Sequence, residues 1–214
     1  MRHWQMAQQG LKSLFLVALI LASCAAPGSD NPEEGCGGTE ASVSCLDIIN
    51  IVPTSSNTGN TNNVDAFIHV CEVNQETGEI TAVESIFDHN AQVTFANTRF
   101  PTASGTFDIR ITGYSVAYRL NNCPRNAIGC PPLPGFTVQE NILVPADSQV
   151  TRALAFVPLR VKDAYVAAGG ERSIPAPSYS AVYVFTAQTT RFNDTFTVEA
   201  RAEFTITDFD TCTQ

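Results

Sequence analysis

Tryptophan and methionine are nearly missing from this chain: Trp4, Met1 and Met6 are the only ones, and all lie at the very N-terminus. From residue 24 onward neither occurs, and Lys162 is the only lysine. Without tryptophan the chain lacks the flat side chain best suited to stacking on a sugar ring, and its five tyrosines replace it only in part. The scarcity of cations sets 12 Lys and Arg against 21 Asp and Glu, a formal net charge of −9. That balance argues against nucleic acid and anionic lipid headgroups as partners, because both demand a basic face. Beyond residue 24 there is no long amphipathic period of 3.6, which argues against a helical bundle. No GxSxG elbow, HExxH helix, P-loop or dinucleotide glycine fingerprint is present. No two cysteines have CxxC spacing, and only His69 and His89 follow His3 as imidazoles, which disfavours zinc. The expectation is a protein without catalytic activity, cofactor or metal.

What is present begins with a targeting pattern. Arg2 and Lys12 precede a nearly all-aliphatic run from Leu14 to Leu21, and no acid occurs before Asp30. A positive start, a short apolar core and a small-residue exit make a secretory signal. The run is too short to span a bilayer, which takes about 20 apolar residues. Leu21-Ala22-Ser23-Cys24 resembles the lipobox of bacterial lipoproteins. The resemblance implies cleavage before Cys24, acylation of its thiol and of the new N-terminus, and a membrane partner through that lipid. Several acyl chains hold far better than one, at about 0.8 kcal/mol per buried methylene. Ala25, rather than an aspartate, follows the cysteine; by analogy with lipoprotein sorting this points to the outer membrane. Cleavage removes Arg2 and Lys12 and no acid, which lowers the net charge from −9 to −11.

The expected organisation is a signal peptide over 1–23, a lipid-anchored flexible tether over 24–44 and a β-sandwich domain over 45–214. The tether reading rests on Pro, Gly, Ser and acids without apolar periodicity, a composition that buries no core. Six cysteines follow Cys24: Cys36, Cys45, Cys71, Cys123, Cys130 and Cys212. An even number in an exported chain reads as disulfides. Cys123 and Cys130, with six residues between them, are expected to close a tight loop of their own.

The remainder reads as strands. Phe196, Val198, Ala200, Ala202, Phe204 and Ile206 alternate with polar residues, a period of two that specifies one wet and one buried face. Ala91, Val93 and Phe95 alternate likewise, as do Phe136, Val138, Ile142 and Val144 with Glu140 as the exception. Tyr179 to Phe185 is apolar on both faces, which marks a central strand. In "FDIRITGYSVAYRL", Phe107, Ile109 and Ile111 hold one parity but Tyr114, Val116, Tyr118 and Leu120 the other; a bulge at Gly113 would restore a single buried face. Pro158 is read as a similar switch between Leu154/Phe156 and Leu159/Val161. A brief helical turn is expected around Asp163 to Ala168, stopped by Gly169-Gly170.

Short strands separated by turn-rich loops predict an all-β chain built as one antiparallel sandwich. "ITGYSVAYR" resembles the third strand of fibronectin type III modules at Ile111, Tyr114, Val116, Tyr118 and Arg119, and the flanking strands fall in matching order. More broadly, the region from Leu46 to Cys212 is similar to uncharacterised bacterial lipoproteins with an immunoglobulin-like or fibronectin-like domain. In such sandwiches the first strand often splits between sheets. That implies that "VDAFIHV" runs parallel to the last strand, which would pair Cys71 with Cys212 and leave Cys36 for Cys45. A simple hairpin of "LDIIN" with "VDAFIHV" would instead face Cys45 with Cys71.

The remaining candidates are few. His69 shares a parity with Phe67, Cys71 and Val73 and is expected to be strand-embedded or partly buried; His89, beside Asp88, is expected on the surface. Asp208 and Asp210 have the oxygen chemistry of calcium ligands but read better as a solvated strand end. "NNCPRNAIGCPPLPG" is the candidate contact loop, stiffened by its bridge and by four prolines and offering Arg125 and Ile128 at its tip. Protection from proteolysis explains the same stiffness, and both readings stay open. The chain is thus expected to be a lipid-anchored cell-surface or periplasmic module with an unknown protein partner; the alternative is a carbohydrate- or small-ligand-binding lipoprotein.

Overall fold

In a computed structural model of the protein, residues 35–39, 42–54, 62–101 and 103–209 are described. The signal and Cys24, most of the tether, Asp210 and Cys212 lie outside them. The alternation in the sequence becomes eleven strands and one helix. The strands are β1 (Cys36–Thr39), β2 (Ser42–Thr54), β3 (Asn63–Asp65), β4 (Val70–Val73), β5 (Ile80–Val83), β6 (His89–Arg99), β7 (Ile109–Asn122), β8 (Phe136–Val144), β9 (Ser148–Val157), β10 (Ser178–Thr189) and β11 (Thr195–Thr207); helix α1 (Leu159–Ala167) follows β9. The described residues are therefore all-β apart from one helix of nine residues.

Two sheets carry the fold, one ordered β1-β2-β6-β9 and the other β3-β11-β10-β7-β8, with β4 and β5 as a separate two-stranded ribbon. Every pairing is antiparallel except β3 beside β11. The two sheets share one apolar core that draws on both of them. Phe95 of β6 meets Phe185 of β10 edge-on at 5.0 Å, and Phe156 of β9 meets Phe204 of β11 at 5.1 Å. Three tyrosines of the five-stranded sheet bond the backbone of β9, an edge strand. Tyr183 Oη donates to Ala155 O at 2.7 Å, Tyr118 Oη donates to Phe156 O, and Tyr114 Oη accepts from Ala155 N at 3.1 Å. Each ring thus fills the core while its hydroxyl satisfies an edge.

The parity switch in β7 is a bulge. Ile111 pairs with Ala187 and Gly113 with Thr186, so Thr112 is the extra residue. A Cβ at Gly113 would stand 2.7 Å from Val138 O, so this close approach of β8 needs glycine. Pro158 behaves differently from expectation: Leu159 and Val161 belong to α1 and not to a continuing strand. Pro158, at φ −68° and ψ 161°, leaves β9 in an extended conformation, and from Leu159 the chain turns helical. Val161 and Tyr165, one helical turn apart, are both fully buried. The stop is as the glycines require: Gly169 at φ +74° and the bonds Gly169 N to Val166 O and Gly170 N to Tyr165 O close the helix end.

"VDAFIHVCEV" is not one strand either. β3 runs parallel to β11, pairing Val64 with Ile206, and ends at Asp65. The Asp65 side chain then accepts the Phe67 N–H and turns the chain out of the sheet; β4 pairs instead with β5. Two disulfides are present among the described residues, Cys36–Cys45 and Cys123–Cys130. Cys71 is disulfide-bonded as well, while the partner expected for it, Cys212, lies outside the described residues.

The strand directions give the molecule two unlike ends. At one end Ser44 lies opposite Arg99 and the Cys36–Cys45 bridge admits the chain; Asn97 Nδ2 ties this end shut by donating to Phe107 O and Val144 O. At the other end Thr54 lies opposite Asn90, His89 opposite Val157, and Asn122 opposite Ser178. The eleven residues of β6 span the distance, about 35 Å at the usual strand rise.

Candidate functional site

Three irregular features gather at the end remote from Cys36. The Cys123–Cys130 loop leaves β7 there, α1 and its glycine stop follow β9 there, and the β4–β5 ribbon projects from there. The loop is a turn held by Ala127 N bonding Pro124 O at 3.0 Å, with Arg125 exposed and Ile128 90% exposed at its tip.

Glu171 anchors that loop. Its carboxylate accepts from Ile128 N at 2.5 Å, Arg172 N at 3.0 Å, and Ser173 N and Oγ at 2.9 and 2.7 Å. Its own N–H bonds Gly129 O, and its carbonyl accepts the hydroxyls of Tyr165 and Thr207. One buried residue therefore joins the disulfide loop, the helix and the last strand. The fit leaves no room at Gly129, where a Cβ would lie 2.5 Å from Gly169 O. The Ser173 hydroxyl and then the Ile128, Ser173 and Arg172 N–H groups favour the charged carboxylate and hold its pKa at about 2, below its ordinary 4.5. A lowered pKa in the folded state gives stability that is complete above pH 4.5 and is lost as pH falls toward about 2. In an acid titration followed by circular dichroism, Glu171→Gln is expected to flatten the part of the unfolding slope in that window. Identical acid profiles for the two proteins would contradict the anchoring role.

A second buried group lies under the helix. Asp65, Glu84 and Lys162 are each under 8% exposed. Burial raises the Asp65 carboxyl and lowers the Lys162 amine, while Asp65, Asp88 and Glu84 draw Lys162 back toward its charged form. Asp65 Oδ1 accepts the N–H groups of Phe67 and Phe209, joining the turn after β3 to the end of β11. Asp88 Oδ1 accepts the Leu159 N–H at 2.7 Å and so caps α1 from another segment.

The sequence expectations fall on this end unevenly. His89 is not a surface residue: it opens β6 almost fully buried, its ring 5.7 Å from that of Phe156. His69 is partly exposed and lies between β3 and β4, with its carbonyl accepting Glu84 N–H. Asp208 is not a free solvated end, because Arg172 bonds its Oδ2 at 2.8 Å while stacking over Phe67 at 4.6 Å. Among the described residues no group of three or more His, Cys, Asp or Glu side chains could hold a metal ion. Tyr114, Tyr165, Tyr179 and Tyr183 are buried, so these rings are not open platforms for a sugar. Sequence reasoning missed Glu171 and Lys162, because nothing in a sequence marks a charged residue as buried.

Away from this end, the bulge in β7 opens a shallow groove of 340 Å³ on the outer face of the five-stranded sheet. Thr112, Ser115, Thr137, Gln139 and Thr186 line it with hydroxyls and one amide. No helix among the described residues is long and apolar enough to cross a membrane. Compared with protein-family models, with curated proteins and with solved structures, the chain gives no match.

Proposed function

We propose that this chain is a lipid-anchored protein of the bacterial cell envelope, at the outer membrane, and that it serves as a non-catalytic protein-interaction module. The observation that carries the reading is the separation of its two ends. The chain enters the sheets at the Cys36–Cys45 bridge, while the disulfide loop, helix and ribbon lie a full strand length away. An anchor at Cys24 would hold the first end near the bilayer and present the other to whatever lies beyond. The strand order supports an immunoglobulin- or fibronectin-like body: β2, β6 and β9 face β11, β10, β7 and β8, with the first-strand segment β3 crossing to run beside the last.

The test of the anchor is Cys24→Ser, which removes the thiol that takes the lipid. Wild-type protein is expected in the detergent phase of a partitioning assay and the variant in the aqueous phase or as unprocessed precursor. Equal partitioning of both into the aqueous phase would sink the reading. The alternative, a small-ligand or carbohydrate-binding lipoprotein, draws on the hydroxyl-lined groove, but the burial of most tyrosine rings removes its stacking partners.

A further inference from the structure

The ribbon β4–β5 narrows the class of partner. It belongs to neither sheet, and a two-stranded ribbon alone is marginal in water. Its turn is nonetheless well formed: Asn74 Oδ1 accepts the N–H groups of Glu76 and Thr77, Asn74 and Glu79 close the base, and Gly78 at φ +71° takes the left-handed position. On this defined scaffold Val70 faces Val83 and Val73 faces Ile80, on either side of the Glu72–Ala82 pair. All four are exposed, Ile80 and Val83 by 56% and 55%, and Ile68 and Phe87 extend the apolar surface along the two arms at 62% and 50%. Such a concentration at the end of a protein marks a contact surface.

Charge decides what fits. Glu72, Glu76 and Glu79 are exposed on the same ribbon, and no Lys or Arg occurs between residues 55 and 98. A second copy would bring like charges together, and an anionic bilayer would repel the ribbon. Among the described residues no third strand pairs with β5, and such an edge accepts an extended segment by backbone hydrogen bonding. We infer that β4–β5 is a docking ribbon for an extended apolar segment of another protein, flanked by Lys or Arg, that adds as a third strand. This rests on the interaction-module reading.

The experiment uses the mature chain in neutral detergent micelles with a fluorescent peptide of alternating Val and Lys, and a matched Val and Glu peptide. Anisotropy is expected to show binding of the first peptide alone, weakened by salt. Glu72→Gln with Glu76→Gln and Glu79→Gln is expected to weaken it about tenfold, and Ile80→Ser with Val83→Ser to abolish it, with unchanged melting temperatures. Arg125→Ala with Ile128→Ser is expected to leave it intact. No binding, equal binding of both peptides, or binding that survives the Ile80/Val83 change would overturn the inference. Loss in the Arg125/Ile128 variant alone would move the contact to the disulfide loop, overturning the ribbon but not the module. Two further arms test other occupants, phosphatidylglycerol vesicles and sedimentation of the protein alone. Vesicle binding or self-association that vanishes with Ile80→Ser and Val83→Ser would assign the ribbon to a bilayer or a second copy instead. A failed Cys24→Ser test strikes the anchor and leaves these outcomes unaffected.

Discussion

Phe204→Ala is expected to cost about 3–5 kcal/mol of folding stability, as large a loss as truncating one core side chain brings. Phe204 is 2% exposed and sits where the sheets meet. Its ring touches Phe156 across the sheets at 5.1 Å and stands 5.8 Å from both Tyr118 and Tyr179 in its own sheet. Around a void at that point the three remaining rings have little freedom to collapse. Tyr118 is held to Phe156 O and Tyr179 to Pro131 O by their hydroxyls. Urea unfolding of the two proteins gives the difference. Phe196→Ala, eight residues earlier on the same strand and only partly buried, serves as comparison and should lose much less. Equal losses at the two positions would mean that the sheets do not meet at Phe204 as described.

The second large effect comes from adding one methyl group. In Gly170→Ala the new Cβ would stand 2.3 Å from Cε1 and 2.4 Å from Cζ of Tyr165. That ring is fully buried, lies edge-on to Phe67 at 6.1 Å, and its hydroxyl donates to Glu171 O and Ile206 O. It cannot retreat without breaking those bonds. Overpacking at about 1–3 kcal/mol and loss of the one hydroxyl proton's bonding, about 1 kcal/mol, give about 2–4 kcal/mol. The neighbouring Gly169→Ala meets no atom within 4 Å and bears only the strain of φ +74°, about 1–2 kcal/mol. Amide exchange at Ile128 and Glu171 should quicken in the Gly170 variant, because Glu171 moves with the ring, and change little in the Gly169 variant. Matching exchange rates in the two variants would show that Gly170 does not control the loop.

These two positions also show how far the sequence alone is legible. Phe204 belongs to a strand whose alternation runs unbroken from Phe196 to Ile206, so its inward face is plain from spacing alone. The parity switch at Gly113 likewise announces the bulge in β7. Gly170 is readable as a helix stop but not as a packing site, since nothing local says which ring lies above it. The same limit applies to Leu159-Arg160-Val161, where alternation over three residues fits a strand as well as the first turn of α1. "VDAFIHVCEV" divides because Asp65 captures the Phe67 N–H, a side-chain event that periodicity does not encode. His89 is buried by Phe156, which arrives from β9, far along the chain. Local pattern sets faces; contacts between distant segments decide which polar residues those faces enclose.

The opposition of the two ends has a mechanical consequence. A load applied between the Cys36 end and a partner held on the ribbon would pull β2 from its start and β6 from its start. Those strands are antiparallel, so their starts lie at opposite ends of a ladder of ten residue pairs from Ser44–Arg99 to Thr54–Asn90. The ladder is thereby loaded in shear, with its pairs bearing force together rather than parting one after another. At the point where tension enters, the Cys36–Cys45 bond carries it directly into β2 and spares β1 from being peeled away.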